Sequence, residues 1–424
     1  MALRIVAHRP DPAIVSLPWS MPLEEWPEDV VVPLPRGLSR HVVRFVRLGD
    51  RIYAVKETQE PIALREYSML RDIQRAGMPS VSPQAVVTGR TTADGEELPT
   101  ALVTNHLRFS LPYRVVFERY LQPSLIPSLV DALVILLVRL HLAGFYWGDV
   151  SLSNVLFRRD AGGYVAYLVD AETSEHRPEI SRRLREYDVQ VGRENVFAEI
   201  CDLIASRSIP ADTDANAVTD LIHERYTTLW SELTAEESFS TEEMWRIERR
   251  IERLNELGFD VQELDIRTAG DTVHLQPVVV EAGHYQRQLR ELTGIEAEDA
   301  QARRMLNDIA QFTVTRDLVG LEKSAVARRW LRETYQPIIA MAPDEEGELS
   351  FEPAQLFHEI LVHRIKISDE AGHRVRLLDA AQDYFDHVYA TAPSSNLRTN
   401  LQESYGLEEL GRADEEAGEP AERE

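Results

Sequence analysis

Three short segments, far apart in the chain, each place a charged or amide side chain at the end of an apolar strand or in a tight turn. Tyr53-Ala54-Val55-Lys56 sets a lysine on a strand, and Gly148-Asp149-Val150-Ser151-Leu152-Ser153-Asn154 sets an aspartate and an asparagine five residues apart. Tyr167-Leu168-Val169-Asp170 then ends a strand with a second aspartate. Lysine, aspartate, asparagine, aspartate is the order in which phosphoryl transfer from a nucleotide uses its parts. The lysine neutralises the α- and β-phosphates, the first carboxylate takes the proton of the acceptor hydroxyl, and the amide and second carboxylate hold divalent cations. The protein's share of such chemistry is positional and electrostatic, so a few rigidly held polar groups suffice.

The elements that must hold these groups are legible around them. Val30 to Glu57 reads as extended chain, VVVPL, HVVRFVRL and RIYAVK, broken at Pro33, Pro35, Gly37 and a Leu48-Gly49-Asp50 turn. A helix follows from Ile62 to about Ala76, with Leu64, Tyr67, Leu70 and Ile73 on one face and Gly77 at its end. Gln84 to Arg90 and Thr100 to Thr104 read as two further strands across the turn TTADGEE. Leu125 to Ala143 reads as a long buried helix; its most apolar run, Leu129 to Leu140, carries Asp131 and Arg139 and is too short to span a membrane. VLF and YVAYLVD then pair as a hairpin, and Ile180 to about Ser206 is helical.

These residues resemble the protein-kinase-like superfamily, in the bacterial branch of lipopolysaccharide-core (Kdo) kinases and aminoglycoside phosphotransferases. AVK, LHLAGFYWGDVSLSNVLF and LVDAE carry the resemblance. It implies an α+β, bilobal kinase-like fold over about 28–215, after an N-terminal extension of 1–27, with a small β-rich lobe to about Thr104 and a helical lobe after it. It implies ATP and Mg2+ as cofactors. Lys56 becomes the strand lysine that pairs with a helix glutamate, for which Glu66 is preferred over Glu57 and Glu60, and Asp149 matches the catalytic base. Gly37 and Ser39 fall where a phosphate-covering loop belongs and join Lys56 and Thr104 in the nucleotide-binding set. Asn154 and Asp170 match the metal positions, and Glu172 adds a second carboxylate to them.

The sequence also departs from the family pattern. Trp147 stands where many relatives carry histidine, and Gly148 where eukaryotic-type protein kinases carry arginine, which argues against activation-loop phosphoregulation. Asp170-Ala171-Glu172 keeps the metal ligand and drops the hydrophobic switch residue, and the glycine loop is reduced to one glycine. Three readings therefore stand: a phosphotransferase acting on a hydroxyl of a small molecule or glycan-type acceptor; a nucleotide-binding pseudokinase that engages a protein through its C-terminal domain; and an AMP transferase using the same site.

The second half also carries a resemblance. WSELTAEESFSTEEMWRIERRIERLNELGFDV through GHYQRQLRELTGIEAEDAQARRMLND is similar to an actinobacterial domain of unknown function that follows a kinase-like half. It is expected over 216–392, mostly helical, with a hairpin around Ala269-Gly270-Asp271 and helices near 284–293, 297–312, 321–335, 352–366 and 375–390. Ser240-Thr241-Glu242-Glu243 reads as a capping box. Arginines recur on three of these helices (246, 249, 250, 253; 303, 304; 328, 329, 332); pairing with neighbouring glutamates is the simpler account, and a phosphate site the sharper one. His358-Glu359 and His363 miss the zinc-hydrolase spacing by one residue.

Composition excludes other classes. With 71 acidic against 46 basic residues in 424, the net charge is -25, which repels nucleic acid and anionic membranes. One cysteine, Cys201, makes neither an intramolecular disulfide nor a cysteine-rich zinc site and fits a reducing, cytoplasmic compartment. The first thirty residues hold no signal-peptide core, and no transmembrane segment is expected. Residues 393–424 read as a solvated acidic tail, since the last 23 residues hold nine acidic and two basic side chains.

Overall fold

The computed structural model describes residues 2–8, 11–34, 41–49, 51–119, 125–240, 245–256, 259–269, 272–342 and 352–389. They form two compact units, 1–284 and 285–424.

The first unit begins with β1 (Arg4–Ala7), followed by two single 3-10 turns at Pro12–Ser16 and Leu23–Glu25. Then come β2 (Val43–Leu48), β3 (Arg51–Thr58), α1 (Glu60–Arg75), β4 (Pro83–Thr88) and β5 (Thr100–Asn105). The five strands make one antiparallel sheet in the order β1-β4-β5-β3-β2. Strand alternation decides what each face does. Tyr53 and Val55 of β3 join Val46, Ala85, Val87, Ala101 and Val103 on one face, where Ile14, Leu17, Trp19, Leu23 and Trp26 cover them. The N-terminal extension is thus an edge strand plus a lid on the small lobe. Prolines interrupt every longer pattern there, so each piece is too short to show periodicity in the sequence.

One buried arginine ties that lid down. Arg90 donates to the carbonyls of Trp19, Met21 and Pro99 and to Glu57 Oε1 at 2.7 Å, and Glu57 also accepts the Leu23 amide. The opposite sheet face presents Ala54 and Lys56 of β3, in register with Thr104 and Leu102 of β5. Tyr67 and Ala63 of α1 pack there against Val86 and Leu102.

Past the small lobe lie β6 (Ser110–Leu111), α2 (Tyr113–Arg119), α3 (Leu125–Leu142), β7 (Phe145–Tyr146), β8 (Val155–Asp160), β9 (Gly163–Leu168), β10 (Glu175–His176), α4 (Arg182–Ala205) and α5 (Ala215–Thr234). α3 is long and apolar enough to cross a membrane, yet 61% of it is buried, and it packs on α5 and β9 as a core helix. The turn between α1 and β4 joins the lobes: Val81 N donates to Leu168 O and Leu168 N to Pro79 O. β11 (Glu237–Ser240), α6 (Trp245–Glu256), β12 (Phe259–Ala269) and β13 (Thr272–Ala282) follow, as a three-stranded sheet ordered β11-β13-β12 with α6 against β12. The expected capping box at 240–243 falls largely outside the described residues.

The second unit is helical: α7 (His284–Thr293), α8 (Asp299–Thr315), α9 (Lys323–Trp330), a π turn at Leu331–Tyr335, α10 (Gln336–Ile339), α11 (Pro353–Ala371) and α12 (Leu377–His387). Its core gathers Leu289, Met305, Phe312, Trp330, Phe357 and Tyr384. The mixed architecture expected from the sequence, a sheet-rich lobe followed by helical parts, is what the chain adopts.

Candidate functional site

Lys56 leaves β3 on the face that α1 covers, and α1 answers with Glu66, which is 1% exposed. Lys56 Nζ lies 2.7 Å from Glu66 Oε2 and 3.2 Å from Asp170 Oδ2, so one ammonium links the sheet, α1 and the end of β9. Burial pulls the lysine down, but the two carboxylates outweigh it and hold its pKa above the ordinary value. Burial pushes the Glu66 carboxyl up to about 7, against the pull of Lys56. Of the three glutamates considered for this pair, Glu57 is taken by Arg90 on the opposite face and Glu60 stands exposed in the first turn of α1.

Across a cleft of about 140 Å³ from Lys56 lies the loop after β7. Val43, Phe45, Ala54 and Thr104 roof the cleft, and Asn154, Leu156, Val169 and Asp170 floor it. Asn154 Nδ2 donates to Asp149 Oδ2 and to the Asp149 carbonyl, each at 2.9 Å, so the amide nitrogen is engaged and the amide oxygen is the end of Asn154 able to accept. Asp170 Oδ1 accepts the Glu172 amide, and Glu66, Asp170 and Glu172 bring carboxylate oxygens within 4.8 Å of one another. Glu172 Oε2 also lies 3.6 Å from His41 Nε2. Two carboxylates and an amide oxygen form a hard-oxygen donor set of the kind Mg2+ takes. Lys56, Glu66, Thr104, Asn154 and Asp170 therefore line one cleft, with Asp149 held against Asn154 at its edge and Glu172 beside Asp170. Gly37 and Ser39 lie outside the described residues.

What holds the loop is a set of α4 side chains that the sequence reading did not assign. Asp188, fully buried, accepts the Trp147 amide on Oδ2 and the Gly148 amide on Oδ1, both at 2.8 Å. Its Oδ2 also meets His141 Nε2 at 3.0 Å, while His141 Nδ1 meets Tyr226 Oη of α5 at 2.7 Å. His141 is thereby a satisfied structural histidine under the loop, and burial keeps its pKa below the usual value. Asn195 Nδ2 donates to Asp149 Oδ1 and to the Val150 carbonyl. Glu199 accepts the amides of Leu152 and Ser153 and the Ser153 hydroxyl. Asp188, Asn195 and Glu199 stand at i, i+7 and i+11, one face of a helix, which is the signal that could have found them.

Glycine at 148 has a local reason. Its φ is +85°, and a Cβ there would sit 3.1 Å from the Thr173 carbonyl. Trp147 is fully buried, and its carbonyl accepts the Thr173 hydroxyl, so this side chain serves packing.

Several other candidates serve structure. Arg250 donates to the carbonyls of Glu232 and Ala235 at the end of α5, and Arg329 and Arg332 pair with Glu333. His363 pairs with Asp383, and Glu359 accepts from Tyr384 and Gln355.

Residues 47–192 match the family model described as the lipopolysaccharide kinase (Kdo/WaaP) family, and residues 228–389 match the domain of unknown function DUF4032. A solved structure titled "WaaP in complex with acyl carrier protein" is similar at 18% identity and a TM-score of 0.35, covering 60% of this chain and 99% of that one. No curated protein matches.

Proposed function

We propose that the unit matched over 47–192 by the lipopolysaccharide kinase family is an ATP- and Mg2+-dependent phosphotransferase that acts on a hydroxyl. The family match supports a kinase-like phosphotransferase; the nucleotide, the cation and the acceptor are the proposal. The observation that carries it is the single ammonium of Lys56 set between Glu66 and Asp170, across the cleft from Asn154 and the Asp149 it holds.

In this reading Lys56 bears on the α- and β-phosphates, and Glu66 fixes the direction in which it points. Asp170, Glu172 and the Asn154 amide oxygen hold Mg2+, which when bound neutralises charge on the phosphates. Asp149 accepts the hydroxyl proton. Both its oxygens already receive an amide hydrogen bond, from Asn195 and Asn154, so it acts mainly by orienting the acceptor along the line of attack. That role suits a loose transition state in which the acceptor proton is lost late. The adenine would lie between Phe45, Leu102 and Leu156 under Thr104. The acceptor class, a small-molecule or glycan-type alcohol, follows the family by analogy, as does a cytoplasmic place of action. The kinase-like domain would span 28–215 and the DUF4032 domain 216–392, the latter offering a surface for a protein partner.

The test pairs ADP release with mass spectrometry of a metabolite extract incubated with the full chain, ATP and Mg2+. An ATP-dependent phosphate mass gain that Asp149→Asn abolishes while ATP still binds supports the reading. ATP binding with no turnover overturns it in favour of a nucleotide-binding scaffold, and an adenylate mass gain overturns it in favour of AMP transfer.

A further inference from the structure

A second cavity, of about 280 Å³, lies within the helical unit, among α8, the π turn, α11 and the start of α12. Arg316, Arg364, Arg374 and Arg376 line it, and among the described residues Asp308 and Glu333 are the only carboxylates in its wall. Both carboxylates already have partners. Asp308 Oδ2 accepts the indole N–H of Trp330 at 2.8 Å, and Glu333 accepts Arg329 Nε at 2.8 Å from outside the cavity.

The arginines are less well served. Arg364 is 14% exposed and reaches Asp308 Oδ1 only at 3.4 Å, a long bond for a guanidinium so far out of water. Arg316 lies over the Phe312 ring, 5.7 Å from its centroid, and Arg376 comes no nearer than 3.9 Å to Asp379. Arg374 enters from the loop between α11 and α12, a loop pinned by the Val375 amide on Ser368 Oγ. The first turn of α12 also opens here, with Leu377 and Leu378 in the wall and no side chain capping it. In a chain of net charge -25 this is a local excess of positive charge gathered in a concave site.

We propose that this cavity binds a small phosphate-bearing anion. Guanidinium groups match phosphate oxygens in fork geometry, and a bound phosphate would complete the long Arg364–Asp308 arrangement and meet the free amides of α12. The volume suits a phosphorylated small molecule of a few heavy atoms beyond its phosphate. The arginines that make the site differ from those whose helical spacing stands out in the sequence: they come from three separate places in the chain, after α8, on α11 and in the segment leading into α12, and converge only in the fold.

The experiment is titration calorimetry of the full chain with pyrophosphate and, separately, inorganic phosphate. The expected result is saturable binding that Lys56→Met and Asp170→Asn leave unchanged. The double variant Arg316→Gln/Arg374→Gln should weaken it by about tenfold or more, as the loss of charge-assisted fork contacts implies. Both replaced side chains are exposed, and an unchanged urea midpoint verifies the fold. If the double variant unfolds early, Arg374→Gln alone carries the test, with a loss of about threefold or more expected. Absence of saturable binding, equal affinity in the arginine variants, or binding lost with Lys56→Met overturns the proposal; the last would place the anion in the nucleotide cleft.

Discussion

Replacing Asp188 by asparagine tests how the loop bearing Asp149 is held. The buried carboxylate accepts Gly148 N on one oxygen, and Trp147 N and His141 Nε2 on the other. A carboxamide can keep only one acceptor oxygen. If that oxygen stays with Trp147 and His141, an NH2 group faces the Gly148 N–H, donor against donor. One bond to a charged acceptor is then lost, at about 1.5–3 kcal/mol, and the others weaken without the charge, so the cost is about 3 kcal/mol. Urea unfolding followed by tryptophan fluorescence measures the stability loss, and ADP release measures the chemistry. The loop bearing Asp149 should loosen as well, so turnover falls further than nucleotide affinity. A variant within about 1 kcal/mol of the native chain and with undiminished turnover refutes the reasoning.

Gly144→Ala should be severe, because φ is +81° and the added Cβ would lie 2.3 Å from the Arg177 carbonyl; a sharp drop in folded yield or thermal midpoint is the readout. Arg90→Met leaves Glu57 charged and buried under the N-terminal lid, and should cost about 3–5 kcal/mol in urea unfolding, with part recovered in the double variant Arg90→Met/Glu57→Gln. Burial first, then Arg108, pushes the His106 imidazole in the cleft down to about 4. The unfolded chain therefore takes up this proton first as pH falls. Its contribution is fully present above about pH 6.5 and is lost toward pH 4, about 2 kcal/mol of it by pH 5. Urea midpoints at pH 7.5 and 5 should differ less in His106→Gln than in the native chain.

Much of the site was legible because each part had its own local signal. Lys56 closes an alternating strand, Glu66 sits on the periodic face of a helix, and Asp149 to Asn154 lie in a turn between an apolar helix and a strand. In the structure Lys56, Glu66, Asn154 and Asp170 line one cleft, with Asp149 against Asn154. What escaped notice lacked either length or contrast. The described residues before Trp26 form a four-residue strand and two short turns, and the apolar side chains of those turns pack against strands far along the chain. α5 begins in a run rich in aspartate and threonine that reads as a linker, although Asp214 caps it and Val218, Ile222, Tyr226, Leu229 and Leu233 hold helical spacing. The loop-holding stripe on α4 consists of ordinary polar residues, and only their shared face distinguishes them from solvated ones. Arg90 and Glu57 gave no local sign, since a buried ion pair depends on what the fold stacks above it.

The most direct test of the central claim is a crystal structure of the full chain with Mg2+ and a non-hydrolysable ATP analogue. Phosphate oxygens are expected at Lys56 Nζ, with Mg2+ held by Asp170 and the Asn154 amide oxygen. Nucleotide bound elsewhere, or in this cleft with its phosphates turned away from Lys56 and Asp170, would contradict it.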